Sequence, residues 1–174
     1  MIPKLTFTIA LIGSFVLGFS LNALIGSFRK PEAYKKVTGI GGIFFKCKNP
    51  KQIRAWYQQH LGLKTNEYGT VFEWRQGADS SRKGFTQWSP FSEKTTYFAP
   101  SLNDFMINYR VENLDALVRQ LRNDSIPVLD SMEITSYGKF IHILDPEGHK
   151  IELWEPDDAD FEQLGKKLGA QTTF

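Results

Sequence analysis

Cysteine occurs once in these 174 residues, which excludes an intramolecular disulfide and a cysteine-built zinc site. That residue, Cys47, sits in an apolar, aromatic run, where a small core side chain is expected rather than a nucleophile. Net charge is nearly absent too: 21 Lys and Arg against 19 Asp and Glu leave +2. The two signs are interspersed, so there is no basic stripe, and nucleic acid is not an expected partner. Charge is missing altogether from residues 5–28. This run is long enough to cross a bilayer as one helix, and Lys4 and Arg29-Lys30 flank it. It exceeds the usual apolar core of an export signal, although Gly18-Phe19-Ser20 offers a small-x-small cleavage site. A membrane anchor is expected, with export after cleavage as the alternative. Arg29, Lys30, Lys35 and Lys36 outweigh Lys4 and would hold the domain in the cytoplasm, whereas export would place it outside.

What the chain does have is repetition. Ile43-Phe44-Phe45-Lys46 lies over Ile107-Asn108-Tyr109-Arg110, and Asn49, Ile53 and Tyr57 lie over Asn113, Leu117 and Leu121 at a constant spacing of 64. Trp88-Ser89-Pro90 matches Trp154-Glu155-Pro156 at a spacing of 66, and Tyr68-Gly69 matches Tyr137-Gly138. Two copies of one folding unit face each other around a shared space, where a ligand would sit. The expected organisation is an anchor or signal at 1–30, a linker at 31–38, a domain at 39–156 with modules 41–90 and 105–156, and a tail at 157–174.

Each copy reads as a strand, a helix and three strands. In the first, 41–47 is a strand, Asn49-Pro50 supplies a cap and a proline first turn, and Gly62 stops the helix. Ile53, Trp56, Tyr57 and Leu61 share its expected buried face. Strands follow at 70–75 and 84–89. The second copy has strands at 105–111, near Val128, at 139–144 and at 150–155, with a helix over 114–124 that buries Leu114, Leu117, Val118 and Leu121. Asp145-Pro146-Glu147-Gly148 has the chemistry of a hairpin turn. Asp157 to Asp160 can cap a short terminal helix carrying Phe161, Leu164 and Leu168.

The paired units, the run from Ile43 to Leu63 and the segment from Asp145-Pro146-Glu147-Gly148 to Ile151-Glu152-Leu153-Trp154-Glu155-Pro156 resemble the vicinal oxygen chelate superfamily. Its members include glyoxalase I, extradiol dioxygenases, fosfomycin-resistance proteins and bleomycin-binding proteins. The resemblance implies an α+β fold: two tandem βαβββ modules forming a curved mixed sheet around one cavity, here preceded by the hydrophobic N-terminal helix. It does not imply one reaction, because the scaffold hosts several. Metal-holding members place ligands at positions that correspond to Gly42, Thr86, Met106 and Glu152, and only Glu152 is a strong ligand for a divalent ion. No cofactor is therefore expected, and a divalent metal is the alternative.

Strand alternation indicates what lines the cavity. Phe44, Lys46, Asn108 and Arg110 share one face by the two-residue period, with Trp88 and Trp154 assigned to the same side and Trp74 as a possible addition. Lys46 and Arg110 are either solvated rim charges or a clamp for a carboxylate or phosphate. His142 is the candidate acid or base, oriented by Glu73 or Glu152, the alternative being a satisfied polar residue in a strand. His60 and His149 carry no assigned role. The segment 90–103, with Phe91, Tyr97, Phe98 and Pro100, can cover the mouth. The expected function is binding of a small, partly aromatic or anionic molecule in a metal-free cavity. The alternative is a glyoxalase-type lyase, isomerase or dioxygenase that uses a metal, or His142 with a carboxylate. Further expected partners are the membrane, through the N-terminal segment, and a second copy of the chain, since duplicated units close a cavity alone or by exchange.

Overall fold

The computed structural model describes residues 37–167. The expected anchor and most of the linker, together with Leu168, lie outside the described residues; among the described ones no helix is long and apolar enough to cross a membrane. In chain order the elements are β1 (Val37–Cys47), α1 (Pro50–Leu61), β2 (Thr70–Gln76), β3 (Asp79–Ser92), β4 (Phe105–Val111), α2 (Leu114–Asn123), β5 (Glu133–Thr135), β6 (Gly138–Leu144), β7 (Lys150–Pro156) and α3 (Asp158–Lys167). The fold is α+β, with one seven-stranded mixed sheet in the order β2-β3-β1-β4-β7-β6-β5. β1 runs parallel to β3 and β4 parallel to β7, while β1 and β4 meet antiparallel at the middle of the sheet.

Local chemistry sets the helix ends. The Asn49 side chain accepts from the Gln52 N–H at 3.0 Å, and Gly62 closes α1 in the left-handed region at φ +71°. Asn113 accepts from the Ala116 N–H at 2.9 Å, and the Leu114 N–H donates to Glu155 at 2.6 Å, which ties the start of α2 to β7. The strand expected near Val128 shrinks to an isolated bridge with Ile143, and Asn66 makes another with Gly69. At Asn66 the carboxamide accepts from the N–H groups of Tyr68 and Gly69, which turns the chain into β2.

The two helices pack differently. Leu114, Leu117 and Val118 of α2 are buried against Val111, Ile141, Ile143 and Leu153, forming the core cluster on one face of the sheet. No residue of α1 is buried; Trp56 is 50% and Leu61 57% exposed. Of its expected face, Tyr57 reaches the sheet, with its ring 4.8 Å from that of Trp88. Trp56 instead lies along the helix surface, 5.3 Å from Tyr57 and 5.0 Å from His60. The α2 face therefore carries a contiguous buried cluster, whereas α1 covers its part of the sheet loosely.

Candidate functional site

The other face of the sheet holds a cavity of about 390 Å³, and its floor is made by what β1 lacks. A Cβ on Gly41 would fall 2.1 Å from Asn108 Oδ1 and 2.7 Å from Trp154 Cε3. One on Gly42 would fall 2.5 Å from the Phe44 ring. Bare backbone at these positions lets neighbouring side chains lie down on the strand. The walls come from both ends of the chain: Phe44 of β1; Gln87, Ser89 and Phe91 of β3; Tyr97 of the β3–β4 connection; and Tyr137, Phe140, Trp154 and Phe161 from the last third. Phe140 stacks on Trp154 at 5.7 Å and Phe91 on Tyr97 at 5.7 Å. The segment expected over the mouth thus supplies wall, with Phe91 and Tyr97 lining the space and Phe98 fully buried behind it.

One polar chain runs from this cavity into the sheet. Glu152 on β7 lies between Asn108 on β4 and His142 on β6 by strand register. The Tyr97 hydroxyl donates to Glu152 Oε2 at 2.9 Å, and His142 Nε2 stands 3.7 Å from the same oxygen. Behind it, His142 Nδ1 lies 2.5 Å from Asp130 Oδ2, and the His142 backbone N–H donates to Asp130 Oδ1 at 3.0 Å. His142 Nε2 is buried and makes no hydrogen bond among the described residues. Burial pushes the Glu152 carboxyl above the usual carboxylate range, against the pull of His142, Tyr97, Asn108 and Lys150. Burial together with the adjacent Glu152 charge raises the Tyr97 phenol, so its proton stays on. Desolvation lowers the Lys150 ammonium, whose Nζ donates to the Tyr97 carbonyl at 2.7 Å.

Of the residues expected at the site, Phe44, Asn108, Glu152 and Trp154 line the cavity, and His142 stands directly behind Glu152. The other four are elsewhere. Trp88 faces the opposite side: β3 pairs Gly42 with Gln87, Phe44 with Ser89 and Ile43 with Trp88, so Gln87 and Ser89 point inward while Trp88 packs under α1 beside Phe45 and Tyr57. Matching Trp88 to Trp154 by sequence put it one residue out of register, and one residue in a strand is the other face. Glu73 sits on β2, with four strands between it and β6, and its carboxylate pairs with Lys83 at 3.0 Å. Lys46 lies 3.7 Å from Asp104 and 5.5 Å above the Phe98 ring, outside the lining. Arg110 is buried; one guanidinium nitrogen contacts both Asp158 oxygens at 2.8 and 2.7 Å, and the group lies 5.5 Å from the Trp74 ring and 5.1 Å from that of Trp154. It ties α3 down rather than clamping an anion. The expected basic end is replaced by two carboxylates, Glu133 and Glu152, with no lysine, arginine or histidine among the described lining residues.

Asp130 and Glu133 were not legible as site residues, since Asp130 lies in the irregular approach to β5 and Glu133 opens that three-residue strand, too short to carry periodicity. His149 is occupied in the β6–β7 turn, with Nδ1 2.7 Å from Asp145 Oδ2. The positions that would hold a divalent metal do not fit one. Gly42 has no donor, Met106 is a fully buried thioether, and the Thr86 hydroxyl is spent on the Ile40 carbonyl at 2.6 Å and on the Trp74 N–H at 2.9 Å.

No protein-family model matches the sequence, and no curated protein matches it. Solved structures do. A Streptomyces coelicolor methylmalonyl-CoA epimerase in complex with 2-nitronate-propionyl-CoA superposes with a TM-score of 0.52 at 15% identity, covering 70% of this chain and 99% of that one. The Mycobacterium tuberculosis methylmalonyl-CoA epimerase gives 0.48 at 21% identity over 73% and 93%. A glyoxalase/bleomycin resistance protein/dioxygenase superfamily member from Vibrio splendidus 12B01 gives 0.42 at 13% identity over 71% and 99%.

Proposed function

On the premise that this chain has the vicinal oxygen chelate fold, we propose that it binds a small, planar, largely apolar molecule without a metal, reading the molecule's polar end with Glu152, Asn108, Gln87 and Ser89. The carrying observation is that eight of the fourteen residues around the cavity are aromatic and enclose one deeply buried carboxyl. Aromatic walls with a few convergent polar groups are the usual make-up of a small-molecule site. The domain is two tandem βαβββ modules around that cavity. Support comes from Gly69 and Gly138, which precede corresponding strands at φ +127° and +135°, and from Tyr68 and Tyr137 beside them, whose carbonyls accept from Ser89 and Trp154. The N-terminal segment anchors the domain to a membrane, a reading that flotation of the full chain with vesicles tests.

Titration calorimetry of the chelator-treated full chain with planar aromatic amines, alcohols and acids tests the binding role. Saturable binding of one molecule per chain, unchanged by added Zn, Mn or Fe(II), is the expected result. Binding that appears only with metal, or none across the panel, overturns the proposal.

A second reading rests on the contact of Asp130 with His142. A carboxylate that fixes an imidazole facing another carboxyl is a proton-transfer arrangement, which suits a metal-free lyase or isomerase. It requires that His142→Ala leave affinity intact while turnover is lost.

A further inference from the structure

Resting on the binding role proposed above, we infer that the cavity's occupant is an organic cation, an alkylated ammonium or a protonated aromatic amine. Three observations converge on that class. The charged side chains among the described lining residues are Glu133 and Glu152. The basic groups nearby are held by other partners: Arg110 by Asp158 through Nη2, its Nε and Nη1 making no hydrogen bond among the described residues, Lys46 by Asp104, Lys139 by Asp115 and Glu155, and Lys150 by the Tyr97 carbonyl. Among the described lining residues an anionic ligand would meet no cationic side chain and would stand as a third negative group, whereas a cation would meet two carboxylates.

The walls point the same way. Aromatic rings attract a cation over their faces, and rings meeting at an angle present that attraction from several sides. Here Tyr137 stands at 70° to Phe140, and Phe161 at 58° to Trp154. A further feature is that no lysine or arginine among the described residues forms an ion pair with Glu152, although Lys150 is near enough to favour its charged form. Its carboxylate receives a hydrogen bond from the neutral Tyr97 hydroxyl, and His142 Nε2 remains 3.7 Å away. A buried carboxyl in this setting gains from a positive charge arriving on its open side. Glu133, exposed at the rim, adds attraction during entry.

The experiment compares three probes of similar shape with the full chain by calorimetry: phenyltrimethylammonium, its neutral carbon isostere tert-butylbenzene, and benzoate. The ammonium is expected to bind about ten-fold or more tightly than the isostere, with benzoate weakest. Glu152→Gln should bring ammonium and isostere to within about two-fold, since it removes the charge while keeping the shape. Because that substitution is buried, Glu133→Gln at the rim gives a second readout: a lower association rate for the ammonium with the rate for the isostere unchanged. If the isostere or benzoate binds as tightly as the ammonium, the cation inference is overturned while the binding role stands. If none of the three binds, both fall.

Discussion

The Asp130 carboxylate holds His142 at two points, one oxygen accepting the backbone N–H at 3.0 Å and the other lying 2.5 Å from Nδ1. Because both contacts come from one side chain, backbone and ring are fixed together, and Nε2 is aimed at Glu152. Asp130→Ala leaves a buried histidine short of two partners and should lower stability by about 1–3 kcal/mol. Chemical denaturation measures this; Asp130→Asn, which retains an acceptor, should lose less.

Glu152 gives a pH signature of a definite sign. Its folded-state carboxyl is raised above its ordinary value of 4.5, so as pH climbs through that value the unfolded chain releases a proton that the folded chain still holds. Stability should fall as pH rises from about 4.5 to the raised folded value and then level off. His142, Lys150, Tyr97 and Asp130 all face this region, so the measurement is the difference between the wild type and Glu152→Gln, in which the fall should be absent.

Tryptophan emission separates the two faces of the sheet. Trp154 lines the cavity, whereas Trp88 packs beneath α1. Quenching by a bound ligand should disappear in Trp154→Phe and survive in Trp88→Phe. The reverse pattern would place the ligand on the helix side.

Asp158→Asn should be costly despite its position near the end of the chain. It leaves Arg110, whose side chain is 3% exposed, as a buried charge without its partner, and removing one partner of such a pair typically costs about 3–5 kcal/mol. Arg110→Met combined with Asp158→Leu should recover much of the loss, and a thermal melt of the three variants decides the point.

The two helices should respond unequally to substitution. Leu117→Ala in α2 opens a void in the core and should cost about 2–5 kcal/mol, whereas Trp56→Gln in the exposed α1 should stay within about 0.5 kcal/mol. Equal losses would contradict the packing described.

The sequence revealed the fold where signals were local. Asn49, Pro50 and Gly62 delimit α1 as their chemistry requires, and the spacing of Leu114, Leu117 and Val118 marks a face that is buried. It also revealed part of the site, since Phe44, Asn108 and Trp154 follow from alternation along central strands and Glu152 from the family resemblance. Trp88 escaped because facing depends on register between strands, and the spacing between the copies drifts before the closing strand. Arg110 escaped because its partner comes from a helix 48 residues later. Tyr97 was assigned to a cover, but the hydrogen bond from its hydroxyl to Glu152 spans 55 residues and has no local trace.

α3 supplies Phe161 to the cavity wall and Asp158 to Arg110, yet it is the last described element of the chain. One short helix thus serves two purposes, closing the cavity with Phe161 and neutralising a buried guanidinium with Asp158. Wall and anchor are therefore coupled: a change that frees Asp158 from Arg110 also loosens the hold on Phe161 at the cavity.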